Sequence, residues 1–97
     1  MEKSRLRLLV RGRVQGVCFR AFTHAVASNL GLSGLVWNRS DGNVELVAEG
    51  MKPDLLALLA QVRQGPPLAQ VTSVDENWEP PKGDFRGFEI SHRGLSY

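Results

Sequence analysis

The chain has 97 residues, 42% hydrophobic and 23% charged, a balance that folds and excludes a disordered tail, a collagen-like repeat or a supercharged scaffold. Twelve Lys and Arg against ten Asp and Glu leave a formal charge of +2, so the whole-chain field is weak. No apolar run approaches the ~20 residues of a membrane span, so no membrane partner is expected.

This length implies one domain over residues 1–97. Cys18 is the only cysteine, so no intrachain disulfide can form, whereas a small secreted domain usually needs several. The first ten residues begin like a signal peptide, but Arg7 and Arg11 interrupt any apolar region. The expected location is the cytoplasm.

Leu6, Leu8, Val10, Gly12 and Val14 alternate with Arg5, Arg7, Leu9, Arg11 and Arg13. Period two predicts a half-buried strand with one apolar and one mostly cationic face. A glycine-bounded loop follows, from Gly12 to Val17. Phe19, Phe22, Val26 and Leu30 then form one stripe of an amphipathic helix, which Gly31 is placed to stop. Leu35 to Arg39 read as a second strand, and Ser40-Asp41-Gly42-Asn43 as a hairpin turn, because Asp-Gly accepts positive φ cheaply. Val44, Leu46 and Ala48 alternate with Glu45, Val47 and Glu49 in a third strand.

Pro53 and Asp54 suit the first turn of a second helix. Its stripe is Leu55, Leu58, Leu59 and Val62, and Gly65-Pro66-Pro67 ends it. A fourth strand is expected from about Ala69 to Val74, a loop from Asp75 to Asp84, and a last short strand around Phe85, Phe88 and Ile90. The order β-α-β-β-α-β defines an α+β, ferredoxin-like sandwich: an antiparallel sheet with both helices on one face. Right-handed crossover makes the first two strands run the same way. The loop after the first strand and the end of the second then share one edge of the sheet.

Charge is unevenly placed. The first twenty residues carry Lys3, Arg5, Arg7, Arg11, Arg13 and Arg20 against Glu2 alone. A basic outer face on the first strand is one reading of Arg5, Arg7, Arg11 and Arg13, but Arg20 lies outside that alternation. In the run Gly12-Arg13-Val14-Gln15-Gly16-Val17-Cys18-Phe19-Arg20, two glycines let successive N–H groups converge on one point. A helix start adds unpaired N–H groups and partial positive charge, and Arg20 adds a permanent cation. Such a loop is a cradle for an oxyanion, with phosphate or sulfate as natural occupants.

Better-known phosphate motifs fail. Gly16 is followed by Val17 and Cys18, not by the Lys and Ser or Thr of a Walker loop. Cys18 and Arg20 are separated only by Phe19, too close for a cysteine phosphatase, so Cys18 is expected to be a small, partly buried packing residue. No His, Cys and Asp spacing suggests a metal site, and no cofactor is expected.

The run Val-Gln-Gly-Val-x-Phe-Arg, Val14 to Arg20, resembles the signature of the acylphosphatases, as does Gly34-x-Val36-x-Asn38 followed by Asp41-Gly42. The resemblance covers nearly the whole chain and is weakest from Asp75 onward. It implies a metal-free hydrolase that splits small acyl phosphates into a carboxylate and phosphate; a monomer is expected. It also implies that Arg20 binds the phosphoryl group and that Asn38 orients the attacking water. The phosphate-binding loop passes to Gly12, Arg13, Val14, Gln15, Gly16 and Val17, with the last four the expected N–H donors. His24, four residues after Arg20, could touch substrate but reads better as packing or surface, and Trp37 and Trp78 as packing residues or as the edge of the site.

Two non-catalytic alternatives share the element order. An RNA-recognition domain needs stacking aromatics in its first and third strands, and Leu6 to Arg11 and Val44 to Glu49 contain none, so no nucleic-acid partner is expected. A small-ligand binding module is the other.

Overall fold

A computed structural model of the protein describes residues 2–92. Met1 and the last five positions of the expected domain, 93–97, lie outside the described residues. The elements are β1 (Lys3–Arg13), α1 (Phe19–Asn29), β2 (Ser33–Asn38), β3 (Val44–Met51), α2 (Lys52–Gln64), β4 (Gln70–Glu79) and β5 (Phe88–Ile90).

The sheet runs β4-β1-β3-β2-β5. β1 and β2 are both antiparallel to β3, so they point the same way, as right-handed crossover requires. β5 lies parallel to β2 at the edge, so the sheet is antiparallel except for this last pairing. Leu6, Leu8 and Val10 of β1 share one buried cluster with Phe19 and Ala27 of α1 and with Leu55, Leu58 and Val62 of α2. Both helices therefore cover the same face.

The buried stripe of α2 is the expected one: Leu55, Leu58, Leu59 and Val62. In α1 the buried line is Phe19, Thr23 and Ala27, one step round from the expected stripe; Phe22, Val26 and Leu30 flank it, half-buried. β4 continues to Glu79, five residues past its expected end, because its polar residues sit on an edge strand that pairs only with β1, from Gly12↔Val71 to Arg5↔Glu79. Polarity there marks exposure, not loop.

Cations on the helix-free face are not a bare basic surface. Arg5 is completely buried and sits between its cross-strand neighbours Glu49 and Glu79. Its guanidinium lies 2.7 Å from Glu49, and 3.4 Å from both Glu79 and Asp84. Arg7 lies between Glu79 at 3.6 Å and Glu45 at 3.3 Å, and Glu45 meets Arg39 at 2.7 Å. A chain of alternating charge thus crosses the sheet above buried Trp37 and Val47. Burial works against the ionised form of Glu49, but N–H donors from Lys82 and Gly83 and the Arg5 guanidinium outweigh it and hold its carboxyl below the usual glutamate range.

Candidate active site

The loop after β1 begins later than its glycines suggest. Gly12 and Arg13 are still strand, paired with Val71 and Gln70 of β4 beside an irregularity in the register. Gly12 has φ 126°, and a Cβ there would lie 2.1 Å from the Gln70 carbonyl oxygen. Glycine is required at this point by the close approach of β4. Arg13 is exposed and does not line the cleft described below.

From Val14 to Cys18 the chain turns into α1. Val14 and Val17 are buried in the core and anchor the two ends of the turn. Between and after them, Gly16 (φ 73°) and Cys18 (φ 62°) take left-handed conformations. Left-handed residues in such a turn direct neighbouring N–H groups to one side and make an anion-binding concavity. Cys18 is exposed, not partly buried as expected, because its left-handed backbone turns the side chain out at the helix start. It carries no side-chain cap, so the first N–H groups of α1 stay unclaimed by it.

Gln15 does more than the sequence suggests. Its side-chain Nε2 donates to the carbonyl oxygens of Arg39 at 2.7 Å and Asn43 at 2.9 Å. One amide group thereby ties the loop to the β2–β3 hairpin. Asn38, the last residue of β2, falls in the strand alternation on the same face as buried Val36, toward the helices. Because β1 and β2 run the same way, Asn38 arrives at the edge where the loop and α1 begin.

These parts border one cleft of about 430 Å³, lined among others by Val14, Gly16, Cys18, Arg20 and Asn38. Arg20 and Asn38, 18 positions apart in sequence, face the same space. Val17 and the Gln15 side chain support it from behind and do not line it. No carboxylate among the described residues pairs with Arg20, while Arg5, Arg7, Arg11, Arg39 and Arg63 are all paired. The Oδ1 atom of Asn38 is buried and no described donor reaches it. A larger cavity, about 630 Å³, opens at the other end of the sheet beside Lys3, Glu49 and Lys82. There the Glu49 carboxylate is already taken by Arg5, Lys82 and Gly83.

His92 was not foreseen. Its Nδ1 lies 3.2 Å from Arg20 Nη1, and it lines the same cleft. A period-two signal for it exists, since Phe88, Ile90 and His92 alternate, but the last strand is only three residues long. His24 packs its ring 6.4 Å from Phe88 and does not line the cleft. Trp37 is buried on the helix-free face, and Trp78 stands on β4 with Lys52 over its ring at 5.4 Å.

A strand-loop-helix turn faces a strand-end carboxamide across one cleft, on a β4-β1-β3-β2-β5 sheet with both helices on one face, which defines an α+β, ferredoxin-like sandwich. The acylphosphatase family profile matches residues 6–90. The chain is 51% identical over 87 residues to an acylphosphatase of Methylococcus capsulatus, covering 90% of this chain and 95% of that one. It is 47% identical over 88 residues to one of Dehalococcoides mccartyi, covering 90% and 97%. The crystal structure of acylphosphatase from Bacillus subtilis superposes with a TM-score of 0.89 at 36% identity, covering 92% of this chain and 99% of that one. The chain belongs to the acylphosphatase family.

Proposed function

We propose that this chain hydrolyses the carboxyl-phosphate bond of small acyl phosphates, as one domain acting as a monomer in the cytoplasm. The observation that carries this reading is the meeting of Arg20, which no described carboxylate neutralises, a left-handed turn and Asn38 in one cleft.

The chemistry needs little more. The leaving group is a carboxylate, whose acid has a pKa of about 4, so it departs without being protonated. No general acid is required. The phosphoryl group passes through a loose, in-line transition state with charge on three equatorial oxygens. Amides of the turn at Val14 and Gly16, which line the cleft, and the Arg20 guanidinium face that charge, doing what a divalent cation does in many other phosphoryl transfers. Gly12 and Arg13 hold the turn through their pairing with β4.

Asn38 acts on the water. Its Oδ1 accepts a water proton, which fixes the direction of the oxygen lone pair. This is orientation, not proton abstraction, because a carboxamide is not a base at neutral pH. The place of Asn38 in the lining of the cleft supports this role. The proton itself passes to a phosphoryl oxygen. Inorganic phosphate and sulfate compete for the same cradle.

The test is release of phosphate from acetyl phosphate by the purified chain with EDTA present. Turnover under those conditions supports the reading. Turnover that appears only on adding a divalent metal contradicts it.

A further inference from the structure

His92 stands against the one cation of the cleft that no described carboxylate neutralises. We infer that His92 is part of the anion site: neutral, it holds Arg20 in place; protonated, it becomes a second donor to a bound dianion. The inference rests on the reading of the cleft given above.

Arg20 Nη1 and His92 Nδ1 are 3.2 Å apart. An arginine only donates, so this contact needs a neutral imidazole with its proton on Nε2. One guanidinium donor is thereby engaged at the side, and the remaining donors are left for the guest. The chain brings His92 there by a fixed route: β5 pairs with β2, and the Ser91 N–H donates to the Val36 carbonyl at 2.9 Å.

Histidine changes charge between pH 5 and 8. On protonation Nδ1 becomes a donor, and it cannot remain against the guanidinium unless an anion takes up both. A dianion in the cleft does so. Anion binding and protonation of His92 therefore favour each other. Two effects oppose: releasing Arg20 costs roughly a few-fold in affinity for one long side chain to be ordered again. A charge-assisted hydrogen bond to a dianion gains about ten-fold or more, so it prevails. Among the described residues, Cys18 and Arg20 are the other titratable groups lining the cleft, and His24, further along α1, is turned to Phe88.

Inorganic sulfate is the probe, because it stays a dianion from pH 5 to pH 8. Its binding to the full chain is measured by calorimetry for wild type, His92→Ala, His92→Gln and Arg20→Ala. Wild-type affinity should rise about ten-fold from pH 8 to pH 5. His92→Ala should bind about three-fold more weakly than wild type at pH 8 and change less than about two-fold with pH. His92→Gln, which keeps an acceptor for Arg20, should recover the affinity at pH 8 and stay flat. A pH-independent wild type, or a His92→Ala with the wild-type pH dependence, overturns the inference. Arg20→Ala separates the two layers: if it binds sulfate as wild type does, the reading of the cleft itself fails, whatever His92 does.

Discussion

At one end of β1, Arg5 is completely buried and meets Glu49, Glu79 and Asp84, with Phe85 under its guanidinium at 5.0 Å. Beyond the other end, Arg20 lies half-buried on the first turn of α1 and meets no described carboxylate. The two side chains are chemically the same. Arg5 was taken out of water together with acids that its strand register supplies from both sides, so its charge is spent inside the fold. Arg20 borders the cleft with no described carboxylate to neutralise it, and in the proposed function its charge serves a guest. In this protein the surroundings, not the residue type, separate a cation neutralised inside the fold from one left open at a cleft.

That contrast breaks most visibly at the structural end. Arg5→Ala leaves Glu49 buried without its cation, which should cost about 3–5 kcal/mol in denaturant unfolding. The folded fraction should keep its kcat, because the cleft is at the far end of the sheet. A large loss of kcat at full folding would show that the two regions are not separate.

At the cleft the expected pattern is reversed. Asn38→Ala should lower kcat by about 10²-fold, in line with one oriented hydrogen bond at a transition state. Its unfolding midpoint should barely move, and inhibition by inorganic phosphate should persist. A comparable loss of phosphate inhibition would place Asn38 in anion binding and not in water positioning.

Acid sharpens the comparison further. The folded-state pKa of Glu49 is depressed, so its stabilisation is complete above the unfolded value of about 4.3 and is lost as pH falls through the lower folded value. Wild-type stability should therefore decline in that acid window, and Glu49→Gln should be less stable near neutrality yet flatter there. Equal acid slopes for both would remove Glu49 from the cause. The smallest effect is expected for Gln15→Ala, which unties the loop from the hairpin. KM for acetyl phosphate should rise about three- to ten-fold through the cost of ordering the loop on binding, measured by steady-state kinetics.

Much of this was legible in the sequence where the determinants are local. The stripe of α2, the Asp41-Gly42 turn and the alternation of β1 and β3 follow from spacing and turn chemistry alone. The meeting of Arg20 and Asn38 at one cleft was legible from the element order, because right-handed crossover brings the start of α1 and the end of β2 to the same edge. The end of β4 was not, because an exposed edge strand carries no apolar alternation and reads as loop. Neither was the buried state of Arg5, which depends on strand register and on residues more than forty positions away. Gly12 and Arg13 looked like loop because glycine marks a close approach as readily as a turn. Cys18 looked buried because small residues usually are, yet a left-handed backbone at the helix start turns it out. Nor does spacing show that the Gln15 side chain ties its loop to the β2–β3 hairpin.

The proposed reaction depends on Arg20 holding the phosphoryl group. The most direct measurement is acetyl phosphate cleavage in EDTA by Arg20→Ala beside wild type, with both shown to be folded. Wild type should turn over, and Arg20→Ala should fall by about 10³-fold or more, because the amides alone carry no full positive charge. An Arg20→Ala enzyme with the wild-type rate would contradict the assignment.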